Sequence, residues 1–411
     1  MVNLFQGKTK PFVMLNKLSL LFFVLTCLNF QNTSGQNQFY DSLNKNKIPF
    51  EFKDLSNILS GTRIFPEKKL FLFGELHGIN ANLELQYGLI KYLHKEKGIS
   101  NIIIEMPHSE VYFFQKYLET GDTSLLYNYD GRVNKYFLDK IRVFNKNTDY
   151  PIRLFGIDLD IKFRSYFYAD CIIHLTKKYQ YADSISAFGK ALHQLSLNRY
   201  NSKKLFAVNE ILKKELRSNE ATYSLLFGKD YLHLKTIVFS FKKDKGRRDD
   251  EMFENFKSLY KTWFSDNDNK AGFLAFLGGS HTYSESKQSF YRLLQNNNTS
   301  PVFNDVSLSA IQYINCQSSQ FSINPQNLIA IINDGFFRGS RGANRTLIKN
   351  NFLTAIESIS SINADKNYII PANPNQLFQP WYNKNKLLET IDMLFIIQKS
   401  PPTHPLTKST K

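Results

Sequence analysis

The chain has 411 residues, a length that suits one large domain or two smaller ones. Hydrophobic residues make up 42% and aromatic residues 15%, so the chain has enough apolar material for a sizeable core and is neither disordered nor fibrous. The net charge of +16 favours loose contact with anionic surfaces. Because the basic residues are scattered and form no stripe with interleaved aromatic residues, the sequence argues against binding to nucleic acid.

Residues 1–35 have the pattern of a secretory signal peptide. Lysines precede an apolar run from Leu18 to Leu28, which is too short to cross a bilayer comfortably. Small residues then precede a cleavage site at Gln36. We therefore predict an exported protein, periplasmic or secreted, of residues 36–411 with a net charge of +13, because the removed segment contains three lysines and no acid. The alternative is a short N-terminal membrane anchor.

After removal of that segment, the remaining cysteines are Cys171 and Cys316. Two cysteines form neither a disulfide framework nor a set with the spacing of metal ligands. Whether they pair stays open at this stage, as does the oligomeric state.

Short apolar runs alternate with longer stretches of helical periodicity along most of the chain. The runs predict strands at 70–73, 101–104, 152–155, 273–277, 307–314, 328–332 and 393–397. Helical spacing from Leu83 to Leu93 predicts a helix that ends at Gly98, and a second helix is expected at 109–119. This alternation predicts an α/β fold, with a mostly parallel central sheet flanked by helices.

Residues from about 161 to 265 have a different character, with almost no strand pattern. Helical stretches dominate there, for example at 203–216, 231–241 and 249–264. We therefore predict one α/β domain over residues 36–411 with a large helical insertion, which packs over the sheet or forms a lid.

Acidic residues and histidines directly follow four of the predicted strands. Glu75 and His77 follow the first strand, Glu105 the second, Asp158 the third and His281 the fourth. In an open parallel sheet, the carboxyl ends of the strands lie at one edge, and ligands bind there. We therefore expect these side chains to share one rim of the sheet.

The spacing of Glu75 and His77 points both side chains to the same side of an extended chain. A carboxylate beside an imidazole raises its basicity and fixes one tautomer, as a general base requires. Glu105 and His281 could polarise the substrate or protonate the leaving group. The same four residues also suit a divalent ion such as zinc, manganese or iron. Taken singly, each could be an ordinary polar loop residue, and Asp158 could be a helix N-cap.

The other histidines lie in helical or tail contexts, which are typical of surface or core positions; they are His94, His174, His193, His233 and His404. His108 follows Met106 and Pro107 and could line the rim. The sequence contains no G-x-S-x-G pattern, which argues against a serine esterase of the α/β-hydrolase kind.

An ordered set of short motifs resembles the erythromycin esterase family. This family belongs to a superfamily with haem-binding uptake proteins and Tiki/TraB-type metalloproteases. The motifs are Gly74-Glu75-x-His77-Gly78, Glu105 at a strand end, Gly156-x-Asp158, Arg248-Asp249-x-x-Met252-x-x-Asn255, Gly278-Gly279-x-His281, and the strand Ile391 to Ile397 followed by Pro401-Pro402. Together they cover roughly Leu70 to Pro405. Erythromycin esterases usually have two residues between the Glu and the His of the first motif, where this chain has only Leu76, as in the haem-binding branch.

The resemblance implies hydrolysis of an ester or lactone by water activated at a histidine, without a cofactor or a covalent serine intermediate. Carried over, His77 is the general base and Glu75 its orienting carboxylate, and Glu105 and His281 complete the catalytic set. Asp158, Arg248 and Asp249 then bind substrate or support the site, with Arg248 paired to a carboxylate or to the developing oxyanion.

Two other readings stay open. One is a metal-dependent hydrolase or peptidase of the Tiki/TraB type, with His77, Glu75, Glu105 and His281 as ligands. The other is a non-catalytic protein that binds haem or iron, for which 22 tyrosines offer no single candidate ligand.

Overall fold

A computed structural model of the chain describes residues 45–62, 64–75, 77–126, 135–159, 165–177, 179, 186–241, 247–264, 271–282, 289–314, 316, 366–371 and 391–401. The predicted signal peptide and the strand expected at 328–332 lie outside these residues. Within them, no helix is long and apolar enough to cross a membrane.

One mixed sheet forms the centre of the protein. Its strands are β1 (Ile48–Phe50), β2 (Leu70–Glu75), β3 (Asn101–Ile104), β4 (Arg153–Gly156), β5 (Phe273–Gly278), β6 (Val306–Ile314), β7 (Asn367–Pro371) and β8 (Ile391–Gln398). They lie in the order β1-β7-β8-β6-β2-β5-β3-β4. The pairs from β8 across to β4 are parallel, whereas β7 pairs antiparallel with both β1 and β8. The predicted α/β fold with a mostly parallel sheet is confirmed.

The predicted strands within the described residues agree with the observed ones to within two residues at each end. Buried apolar runs such as Leu70 to Phe73 have both faces covered, as expected for a central parallel strand. The strands β1 and β7 were not predicted, since each is short and lies in the antiparallel part of the sheet, next to polar and proline-containing sequence. Such short strands carry too little periodicity to be recognised locally.

Helices cover both faces of the sheet. The α-helices are α1 (Leu55–Thr62), α2 (Asn80–Lys97), α3 (His108–Thr120), α4 (Lys135–Asn145), α5 (Ser165–Lys177), α6 (Ala187–Leu197), α7 (Ser202–Ser218), α8 (Glu220–Phe227), α9 (Asp230–Ser240), α10 (Arg248–Trp263), α11 (Gly279–Thr282) and α12 (Phe290–Asn296), with short 3₁₀ turns at Phe52–Asp54 and Thr123–Leu126. As predicted, α2 ends at Gly98, which adopts a left-handed φ of 66°.

The stretch predicted as a helical insertion contains α5 to α10 and no strand among its described residues. Helices α5 to α9 build a second apolar core, separate from the core around the sheet. Tyr168 and Phe241 stack there with ring centroids 3.8 Å apart, and Cys171 is buried there and forms no disulfide bond. Cys316 is also buried, in the core around the sheet, and these two cysteines form no disulfide bond with each other.

The start of α2 is held by the short segment that directly follows β8. The Asn80 N–H donates to the Pro401 carbonyl at 3.0 Å, and the Ala81 N–H donates to Ser400 Oγ at 2.9 Å. These contacts satisfy two of the amides that a helix N-terminus leaves open. They also fix the turn between β2 and α2, where Gly78 takes a φ of 83° directly after His77.

Candidate active site

The carboxyl ends of β2, β3, β4 and β5 meet at one edge of the sheet, as parallel pairing requires. The side chains predicted there come together. We call these side chains the rim cluster, which consists of Glu75, His77, Glu105, Asp158, Arg248, Asp249 and His281. Arg248 and Asp249 come from the first turn of α10, so the helical region supplies part of the site.

The first half of the rim cluster is a carboxylate–histidine pair. His77 Nδ1 lies 3.0 Å from Glu75 Oε1, and its Nε2 lies 3.4 Å from Glu105 Oε2. The other oxygen of Glu75 accepts a hydrogen bond from Gln86 Nε2 of α2 at 2.6 Å. Glu75 therefore orients the imidazole, and Gln86 orients Glu75.

The second half repeats this arrangement just after β5, where His281 lies in the short helix α11. His281 Nδ1 lies 2.5 Å from Asp249 Oδ1, and its Nε2 lies 3.3 Å from Glu105 Oε1. Each histidine thus has a carboxylate on Nδ1 and directs Nε2 towards Glu105. Glu105 is largely buried, with 9% of its side chain exposed, and lies between the two rings.

Arg248 joins Glu105 to the end of β4. Its guanidinium forms a bidentate pair with Asp158, with Nε to Oδ1 at 2.8 Å and Nη2 to Oδ2 at 2.6 Å. Nη2 also donates to Glu105 Oε1 at 2.7 Å. Asp158 is thus a buried partner of Arg248. Bidentate pairs of this kind fix geometry as well as charge, yet 45% of the Arg248 side chain stays exposed.

The neighbours of the two rim histidines favour their charged forms. Burial opposes the charge on His77, but hydrogen bonds and charge from Glu105 and Glu75 outweigh it and raise its pKa to about 10. Burial likewise opposes the charge on His281, but Asp249 and Glu105 raise its pKa to about 9. Burial alone would raise the pKa of Glu105, whereas His281 and His77 hold it well below its usual range.

Two glycines permit this close assembly. A Cβ on Gly278 would lie 3.1 Å from Glu105 Oε2 and 3.2 Å from His77 Nε2, and the Gly278 N–H donates to Glu105 Oε2. A Cβ on Gly156 would lie 2.4 Å from the Met106 carbonyl, which accepts the Asp158 N–H at 3.0 Å. These two glycines therefore leave room for the chain segment that carries Glu105, in addition to allowing the backbone to turn after each strand.

Sequence reasoning missed Gln86 and the Gly278 amide. The signal for Gln86 is weak, because a glutamine on a helix that follows a buried strand is usually solvated. The residue types along the sequence do not indicate which backbone amide takes part in a site. Within α10, Asn255 of the recognised motif donates to the Ile157 carbonyl at 3.0 Å, so it ties this helix to the end of β4.

The side chains of the rim cluster form hydrogen bonds and ion pairs with one another, including those of the Arg248 guanidinium with Asp158 and Glu105. Among the described residues, no three His, Cys, Asp or Glu side chains are grouped so that they could hold a metal ion. The residues foreseen as alternative ligands, His77, Glu75, Glu105 and His281, are close together but arranged as hydrogen-bonded pairs.

Comparison with known proteins supports the fold. No family model matches the sequence, and neither does the sequence of any curated protein. Among solved structures, an erythromycin esterase variant in an open conformation superposes with a TM-score of 0.51 at 13% identity, covering 84% of this chain and 96% of that one. A protein described as a succinoglycan biosynthesis protein gives 0.58 at 13% identity, covering 90% and 99%. A Bacillus cereus protein gives 0.52 at 14% identity, covering 90% and 98%. The chain therefore has an α/β fold like that of an erythromycin esterase.

Proposed function

We propose that this protein is an exported hydrolase that cleaves an ester or a lactone with water activated at His77. One observation carries the proposal. Two carboxylate–histidine pairs direct their Nε2 atoms at the same buried carboxylate, Glu105, beside an arginine. Acid–base hydrolysis needs one group to take a proton from water and another to protonate the leaving alcohol. The likeness of the fold to an erythromycin esterase supports the same reaction class.

In the first step, His77 would take a proton from water as the water oxygen attacks the ester carbonyl. A histidine with a pKa of about 10 carries its proton at pH 7, so that proton has to leave first. The contact between His77 Nε2 and Glu105, at 3.4 Å, is the loosest in the rim cluster. Water or substrate that separates these two groups removes the support of Glu105 for the charged ring, and the pKa of His77 falls.

In the second step, His281 would give a proton to the leaving alcohol. Its Nε2 lies 3.3 Å from Glu105 Oε1 and 3.1 Å from Arg248 Nη1. With its proton, Nε2 donates to Glu105, and without it Nε2 accepts from Arg248. His281 can therefore release a proton without losing a hydrogen-bond partner. Because Arg248 is partly exposed, its guanidinium can also stabilise the oxyanion.

The test is a hydrolysis assay of the mature chain on a panel of aryl esters and lactones, beside elemental analysis of the same sample. We expect turnover that His77→Asn abolishes and that a chelator does not change. About one zinc, manganese or iron ion per chain, lost in His77→Asn, would overturn the metal-independent mechanism. Turnover unchanged in His77→Asn would overturn the role of His77.

Export is the second part of the proposal, and it rests on the apolar run that precedes Gln36. N-terminal sequencing of the protein from fractionated cells tests it. We expect an N-terminus near Gln36 in the periplasmic or secreted fraction, and an intact Met1 or Met14 in the cytoplasm would contradict export.

A further inference from the structure

Residues 399–401, which we call the capping segment, directly follow the last strand and lie at the sheet edge that holds the rim cluster. The strands β8, β6 and β2 are parallel neighbours, so their carboxyl ends share this edge. The capping segment leads from β8 past Cys316, which follows β6, to the start of α2, which follows β2. It therefore connects the last strand to the turn that carries His77.

Helix α2 takes its N-cap from outside its own segment. The residue before the helix is Ile79, whose side chain cannot accept a hydrogen bond. Ser400, 319 positions away from Ala81, supplies the cap, since its Oγ accepts from the Ala81 N–H at 2.9 Å. The Asn80 N–H donates to the next residue, at the Pro401 carbonyl. The start of α2 therefore depends on the capping segment.

The backbone of the capping segment holds Ser400 in place. The Ser400 N–H donates to Cys316 Sγ at 3.4 Å, and only 6% of Ser400 is exposed. Lys399 takes a left-handed φ of 51°, which costs free energy for any residue other than glycine and persists where surrounding contacts impose it. The ring of Pro401 fixes its φ, and the proline that follows it in sequence favours an extended ψ.

A second contact ties the first turn of α2 to the neighbouring strand. The Tyr313 hydroxyl of β6 donates to Asn82 Oδ1 at 2.6 Å, and both residues are buried. Since β6 lies between β8 and β2, this contact and the cap act on the helix from the same side of the sheet. The first turn of α2 therefore cannot shift without breaking buried hydrogen bonds, which is costly.

The position of α2 matters to the site because two of its contacts depend on this helix. Only two residues separate His77 from the first residue of α2. Further along the helix, Gln86 donates to Glu75 Oε2 at 2.6 Å. A displaced helix start would move the His77 ring and the partner of Glu75, whereas Glu75 itself stays on β2. Misplacement of a reacting group by about 1 Å can cost about 10²-fold in rate.

We propose that Ser400 is a positioning residue of the active site, through which the last strand fixes His77. The Ser400 hydroxyl caps α2, and the capped helix sets the places of His77 and Gln86 relative to Glu75. The expected effect on turnover rests on the proposed hydrolase function, whereas the effect on the geometry of the Glu75–His77 pair does not.

The test compares Ser400→Ala with the unaltered mature chain by two measurements. The first is the NMR resonance of the His77 Nδ1–H, which reports the hydrogen bond to Glu75 and is assigned by its absence in His77→Asn. We expect it to shift upfield as the hydrogen bond lengthens. The second is the pH profile of kcat and KM, in which kcat should fall about tenfold with little change in KM. Ser400→Thr keeps the hydroxyl and should restore both values.

The matched control is Ser186→Ala. The Ser186 hydroxyl accepts from the Gly189 N–H at 3.0 Å and caps α6. Both alanine variants lose a helix cap, so both should unfold at a lower temperature. Only Ser400→Ala should change the His77 resonance, kcat and the midpoint of the pH profile. If Ser400→Ala does not fold, Tyr313→Phe removes the second contact of the same turn and should cause the same changes to a smaller extent.

The outcomes separate the positioning role from the proposed function. An unchanged His77 resonance in folded Ser400→Ala or, where that variant does not fold, in Tyr313→Phe would overturn the proposal. Equal changes in Ser400→Ala and Ser186→Ala would also overturn it. A resonance that shifts only in Ser400→Ala, in a chain that hydrolyses no ester or lactone, would support the positioning of His77 and refute the hydrolase function.

Discussion

Two pairs of histidines in this protein have opposite protonation states. His77 and His281 lie at the rim of the sheet, and His108 and His233 lie between α3, α9 and α10. Burial disfavours the charged ring in all four. At the rim, carboxylates reverse the effect and raise the pKa values to about 10 and 9. In the inner pair, burial lowers the pKa of His108 to about 3 and that of His233 well below its usual range.

This difference shows that burial alone does not determine the state of a histidine. The decisive feature is the partner of each ring nitrogen. Each rim histidine has carboxylates on both nitrogens. His108 instead has a backbone N–H on one nitrogen and a neutral ring on the other, so any added proton would lack an acceptor. The rim pair is thus suited to proton transfer, and the inner pair to structure.

The largest expected effect concerns the rim pair. His77→Asn should lower kcat/KM for a confirmed ester substrate by about 10²–10⁴-fold, because it removes the proposed general base. Thermal unfolding should be little changed. His193→Asn, at an exposed position of α6, is the matched control and should keep full activity. A loss of the same size in both variants would show that the effect is not specific to the rim.

The pH dependence of kcat/KM tests which form of His77 is active. Since kcat/KM reports the free enzyme, it should rise with pH to a maximum between about 9 and 10 if neutral His77 is the base and protonated His281 the acid, because the pKa of His77 is about 10 and that of His281 is about 9. Glu75→Gln removes one charge that favours the protonated ring, so the midpoint should move to lower pH while the maximum falls. A profile that instead falls as pH rises towards this range would assign the active form to the imidazolium and the base to Glu105.

Acid stability tests the inner pair. A folded pKa below the unfolded value of about 6.5 stabilises the protein above that pH, and the stabilisation is lost as pH falls from 6.5 towards 3. Between pH 6.5 and 5, the free energy of unfolding should fall by about 1.4 kcal/mol per pH unit for each buried histidine. Urea denaturation measures this slope. His108→Gln, which can still accept the Gly156 N–H, should make it shallower, and an unchanged slope would contradict the assignment.

The smallest expected effect concerns Gln86. Gln86→Leu removes the hydrogen bond that orients Glu75, so kcat/KM should fall about tenfold or less. A structural role alone would not move the pH profile, whereas a positioning role should shift its midpoint to lower pH. The control is Gln194→Leu on the exposed face of α6, which should change neither value.

Much of the fold was predictable because local pattern and tertiary structure agree. The buried runs of β2, β3 and β5 are continuous and apolar, and α2 ends at a glycine. The sequence therefore shows both the positions of these strands and the end of this helix. The strand β7 was not predictable, because five residues paired with a distant strand leave no periodic signal. Gln86 was missed because its role depends on a contact with Glu75 in space, which the sequence does not show.

The order of residues along the chain determined which side chains reach the rim, because the ends of parallel strands share one edge and each of these strands has an acid or a histidine at its end or within three residues after it. Tertiary structure alone decided how they pair. It placed Arg248 and Asp249 of α10 across from β4 and β5, and it put Glu105 between two histidine rings. Hydrogen bonds and charge interactions act over a few ångströms in space, and the sequence does not show which of its distant residues come that close to one another.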